Sequence, residues 1–229
     1  MRKITGIENI IFDFGGTLDG NGIHWRDRFF YLIKKQIPAL TWEQFEYADH
    51  RSIADFVADE RTKSLTLRES AETILSGINH YLPIGIIDLA LTTEQFCQPA
   101  EEFLKRNRDF LEKLASSYRL GVISNNFGNT QGWCDEYELT PLLDTVIDST
   151  VVGIEKPDPQ IFYLALDEMG ISSKNSVYVG DTFSDDVVGS NQAGMFSAWL
   201  VGTEDKACPN PSLVDIFLSQ LDTLTDFLT

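Results

Sequence analysis

The stretch Asn9-Ile10-Ile11-Phe12-Asp13-Phe14-Gly15-Gly16-Thr17 decides how the chain is read. Four apolar or neutral residues run into a carboxylate, and the run stops at a glycine pair. A short apolar run ended by turn residues predicts a strand buried on both faces of a parallel sheet. Four further runs have the same character: Leu120 to Ser124, Thr145 to Asp148, Ser176 to Gly180 and Phe196 to Val201. Helical patterns lie between them. In the clearest, Asp158 caps and Pro159 takes the first turn, Phe162, Ala165, Leu166 and Met169 share one face, and Gly170 ends the helix. Strands alternating with helices predict βαβ units with right-handed crossovers, hence an α/β fold with a doubly wound parallel sheet.

Residues 20 to 99 break that rhythm. Phe29, Leu32 and Ile33 recur at helical spacing, and Thr41-x-x-Gln44 and Thr66-x-x-Glu69 read as capping boxes. Ala71, Ile74, Leu75 and Ile78 repeat the stripe. The expectation is an all-helical insertion over 20–99, with 1–19 and 100–229 forming the α/β core.

Open α/β sheets bind ligands beyond the carboxyl ends of their strands. The residues expected there are Asp13 and Gly15-Gly16 after the first strand and Ser124-Asn125 after the second. Lys156 follows the third, and Asp181, Asp185 and Asp186 follow the fourth. A carboxylate can attack phosphorus and form a covalent intermediate. The several acids offer hard oxygen ligands of the kind magnesium takes. Lys156 and the Ser124 hydroxyl can hold phosphoryl oxygens, and the glycines let backbone amides approach an anion.

Read together and in order, these segments resemble the four signature motifs of the haloacid dehalogenase (HAD) superfamily. Asp13 and Thr17 match the first motif and Val122-Ile123-Ser124-Asn125 the second. Lys156-Pro157-Asp158-Pro159 matches the third, and Val179-Gly180-Asp181 through Ala193-Gly194 the fourth. The resemblance implies a Rossmann-like core with a helical cap inserted after the first motif. It implies a magnesium-dependent hydrolase, most simply a phosphatase of small phosphorylated metabolites, with Asp13 as nucleophile and Lys156 orienting it. Gly16, Ser124, Asn125 and Lys156 would bind the phosphoryl group. The metal would rest on Asp13, the backbone of Gly15, Asp181 and either Asp185 or Asp186, since both spacings occur in the family.

One position departs from the pattern. Family phosphatases carry a second Asp where this chain has Gly15; that Asp serves as general acid and base. Its absence favours substrates whose leaving group needs little protonation, such as acyl phosphates. Asp19, His24 and Asp27 are the nearest candidates for a replacement acid. Two other readings follow from Gly15. One is a carbon–phosphorus hydrolase like phosphonoacetaldehyde hydrolase, whose Schiff-base lysine would be Lys34, Lys35 or Lys63. The other is a catalytically weak protein that binds a phosphorylated ligand.

Composition narrows the partners. With 18 Lys+Arg against 35 Asp+Glu, the net charge is −17. That excludes a polyanion such as nucleic acid and docking on an anionic membrane face. The N-terminal residues form no signal-peptide core, and Cys97, Cys134 and Cys208 show no paired spacing. A cytoplasmic protein with reduced thiols is the expectation.

Overall fold

A computed structural model describes residues 3–203 and 206–229. Its centre is a six-stranded sheet in the order β3-β2-β1-β4-β5-β6. The strands are β1 (Asn9–Phe12), β2 (Arg119–Ser124), β3 (Thr145–Asp148), β4 (Ser176–Gly180), β5 (Phe196–Leu200) and β6 (Ile216–Leu218). All five pairings are parallel. The five expected strands are therefore present. The sixth, only three residues long at the sheet edge, carries too short a pattern to be read from sequence.

The central strands are apolar on both faces because both faces are covered. Ile10 and Phe12 join one buried cluster, while Ile11, between them, joins the other with Ile123, Phe162 and Tyr178. The first cluster continues without a break into the helices that follow β1.

Those helices are α1 (Trp25–Gln36), α2 (Trp42–Ala58), α3 (Leu67–Tyr81) and α4 (Leu89–Leu114). Both predicted capping boxes form. Thr41 and Thr66 accept from the backbone N–H groups of Gln44 and Glu69, whose side chains accept in return. Ala71, Ile74, Leu75 and Ile78 of α3 are buried as the stripe requires. The expected boundary at residue 99 falls inside α4, which runs through Pro99. The buried stripe Phe96, Ala100, Leu104 and Leu111 continues across the proline, and this packing outweighs the cost of one missing backbone donor.

The remaining helices are α5 (Thr130–Glu136), α6 (Ser149–Val152), α7 (Pro159–Met169) and α8 (Val188–Gln192). Helix α7 begins and ends as its sequence predicts: Asp158 accepts from Gln160 N–H, and Gly170 takes the left-handed conformation at φ 64°. No helix among the described residues is long and apolar enough to cross a membrane.

Candidate active site

The carboxyl ends of β1, β2 and β4 meet at one buried point. Asp13 follows β1, Ser124 ends β2, and Asp181 follows β4. A π-helical turn, Phe183–Val187, returns Asp186 to the same place. Carboxylate oxygens of Asp13, Asp181 and Asp186 lie within 4.8 Å of one another, and all three side chains are buried. Asp185 is partly exposed and accepts from the Ser184 hydroxyl. It lines the cavity above but stands outside the cluster.

Lys156 ties two of these acids together. Its Nζ donates to Asp13 Oδ1 and to Asp186 Oδ1, each at 2.7 Å, and to the Tyr178 hydroxyl at 3.0 Å. Tyr178 in turn donates to the Ile123 carbonyl, so β2 and β4 both support the ammonium. Ser124 Oγ lies 3.5 Å from Asp13 Oδ1. The Thr17 hydroxyl stands between Asp13 Oδ2 and Asp181 Oδ1 at 3.2 and 3.3 Å. The side chain of Asn125 is tied to the Lys156 backbone in both directions: its Nδ2 donates to the Lys156 carbonyl, and its Oδ1 accepts from the Lys156 N–H.

Electrostatics follow from this crowding. Burial pushes the Asp13 carboxyl up to about 7; Lys156 works against the shift and Asp186 adds to it. Burial, then Asp13 and Asp186, push Asp181 well above the usual carboxylate range. Burial opposes the Lys156 ammonium, but Asp13 and Asp186 more than offset it and hold its pKa well above the ordinary value. Three buried carboxyl groups, two of them bonded to one ammonium, form an all-oxygen donor set, which suits a hard divalent cation.

Two glycines are needed for this geometry. Gly16 has φ +86°, and a Cβ there would meet the Asp181 carboxylate at 2.7 Å. A Cβ on Gly180 would strike the Asp186 carboxyl carbon at 2.2 Å. Each glycine gives its place to an acid of the cluster.

Above the cluster lies a cavity of about 490 Å³. Asp13, Gly15, Ser124, Asn125 and Lys156 form its base, and residues of α1, α2 and α3 form its opposite side. Asp19 is fully buried and unavailable as an acid to this cavity. It accepts from the Gly16 N–H, Trp25 Nε1–H and Arg28. Asp27 is absent from the cavity lining, whereas His24 is part of it. The Nδ1 of His24 accepts from the Arg26 N–H, which leaves the proton of the neutral ring on Nε2. Solvent reaches the ring, yet the surrounding protein and the Arg26 charge push its pKa below the ordinary value. Lys34, Lys35 and Lys63 are not among the lining residues. Lys34 donates to the Leu40 carbonyl and Lys63 pairs with Glu60.

Sequence reading did not find Tyr178 or the structural role of Asp19. A hydroxyl inside an otherwise apolar central strand was the available signal for Tyr178. The sequence profile of the haloacid dehalogenase-like hydrolases matches residues 7–194. The chain belongs to that family. Among HAD-like relatives, the glyceraldehyde 3-phosphate phosphatase of Methanothermobacter thermautotrophicus is 44% identical over 92 residues, covering 39% of this chain and 40% of the relative. The phosphoserine phosphatase of Thermus thermophilus is 40% identical over 55 residues, covering 24% and 22%. These alignments thus span less than half of the curated relatives' length. A dehalogenase crystal structure with an intermediate complex superposes with a TM-score of 0.64 at 16% identity, covering 98% of each chain. That likeness concerns the HAD fold alone.

Proposed function

We propose that the protein is a magnesium-dependent phosphatase of a small phosphorylated metabolite, working through an aspartyl-phosphate on Asp13. The observation that carries this reading is the Lys156 ammonium bridging Asp13 and Asp186 at 2.7 Å each, beside Ser124, at the carboxyl edge of the sheet. The relatives named as phosphatases support the reaction class.

An Asp13 carboxylate oxygen bonds to phosphorus as the bond from phosphorus to the leaving oxygen breaks, and the electron pair departs with that oxygen. Lys156 orients Asp13 and, with Ser124, takes the phosphoryl oxygens; the Gly16 N–H, expected to share that task, is donated to Asp19 instead. Water then attacks phosphorus, releasing phosphate and restoring the carboxylate. Asn125 supports the site by fixing the Lys156 backbone. Asp13, Asp181 and Asp186 would hold the magnesium, with the Gly15 backbone as a further ligand; Asp186, inside the cluster, is preferred to Asp185. Bound there, magnesium supplies the positive charge that lets a phosphoryl dianion approach three carboxylates. The helices over 20–99 serve as the cap of a core formed by 1–19 and 100–229.

Gly15 provides no acid, and Asp19 is engaged elsewhere. The leaving group must therefore depart with little protonation from that side. The phosphonate reading loses support because none of its three lysines lines the cavity. A screen of phosphorylated metabolites with magnesium tests the proposal. Turnover should vanish in Asp13→Asn and under chelation, and turnover that survives both overturns it.

A further inference from the structure

The cavity has two unlike sides. Its base carries the acids and Lys156, while its upper side is built from Trp25 and Phe29 of α1, Ile53 and Val57 of α2, Ile74 of α3, and Phe127. Several of these leave apolar surface uncovered. Val57 is 42% exposed, and Ile53 and Phe127 are only half-buried. The charged groups on this side are already matched: Arg26 Nε donates to Asp49 Oδ2 at 2.8 Å. A phosphoryl group engaged at the base would fill only part of about 490 Å³.

Trp25 bears directly on the place where a leaving group departs. A Cβ built on Gly15 would lie 3.7 Å from Trp25 Cδ1 and 3.8 Å from Nε1. The position that holds an acid in family phosphatases is therefore bordered by an indole edge. That edge cannot turn away. Nε1–H donates to Asp19, and the ring stacks on Trp133 at 5.3 Å and 10°. An indole edge whose one N–H is already given to Asp19 thus borders the position of the missing proton donor.

We propose that the substrate is an aryl phosphate: a phosphate ester whose leaving group is an apolar ring carried on a weakly basic oxygen. The ring body covers Val57, Ile53 and Phe127, and the phenolic oxygen leaves past Gly15 and the Trp25 edge with little need of protonation. This rests on the aspartyl-phosphatase reading for the reaction and on the cavity wall for the choice of substrate.

Binding separates the two claims because phosphonates are not hydrolysed. Phenylphosphonate and methylphosphonate are titrated calorimetrically into the full chain with magnesium present. Phenylphosphonate should bind at least tenfold more tightly, about what burying part of one ring supplies. Its heat-capacity change should also be the more negative. Val57→Ser, an exposed position, should shrink the gap severalfold while leaving methylphosphonate affinity unchanged. Equal affinities, including no binding of either compound, overturn the aryl assignment, as does a gap that Val57→Ser leaves intact. Failure of the phosphatase reading shows instead as absent turnover of every phosphate ester, whatever the phosphonates do.

Discussion

Trp25 Cδ1 stands 3.7 Å from where Gly15 would carry a Cβ, in ordinary van der Waals contact. A side chain at position 15 is therefore sterically admissible, and the absence of an acid there is not forced by packing. Gly15→Asp should raise turnover of simple alkyl phosphates, up to the ~10²–10⁴-fold that general acid–base catalysis supplies. Acyl and aryl phosphates should change far less. Steady-state rates across a leaving-group series decide this, and an equal change for all classes contradicts it.

Lys156 is the sole cation bonded to Asp13 and Asp186 among the described residues. Lys156→Met leaves two buried carboxylates without their partner. Breaking a buried ion pair from one side costs about 3–5 kcal/mol. Denaturant unfolding without metal should show a loss of that order, and magnesium should recover part of it.

Asp13 gives the metal-free protein a pH signature. Its carboxyl is raised from 3.8 to about 7 by burial, so between those values the folded state holds a proton that the unfolded state has lost. This group therefore costs no stability below pH 4. Its cost grows as pH rises and is complete above pH 7. Magnesium should raise the melting temperature more at pH 8 than at pH 5. An equal rise at both values would contradict a metal held by these carboxylates.

Gly16→Ala places a methyl group 2.7 Å from the Asp181 carboxylate, at a backbone φ of +86°. Strain at such a position costs about 1–3 kcal/mol. The variant should fold with reduced stability and lose magnesium affinity, both readable from melting curves at increasing metal concentration.

Much of this was legible in the sequence because the relevant signals are local. The strand ending at Phe12, the boxes at Thr41 and Thr66, and the Asp158-Pro159 start of α7 each follow from a few adjacent residues. What the sequence could not supply were relationships across the chain. Tyr178 reaches Lys156 only because β4 lies beside β1, which lies beside β2. Asp185 and Asp186 are equivalent by spacing, and the π-helical turn from Phe183 to Val187 separates them. Asp19 resembles a spare acid in sequence, yet three donors converge on it inside the core. The run of α4 through Pro99 likewise depends on a stripe buried by tertiary packing.

Covalent chemistry at Asp13 leaves a chemical trace. Acid quenching of the enzyme during turnover of ³²P-labelled acetyl phosphate with magnesium should leave label on the protein. That label should be released by hydroxylamine, map to Asp13, and be absent in Asp13→Asn. Steady turnover with no protein-bound label, or label mapped to another residue, would contradict an aspartyl-phosphate on Asp13.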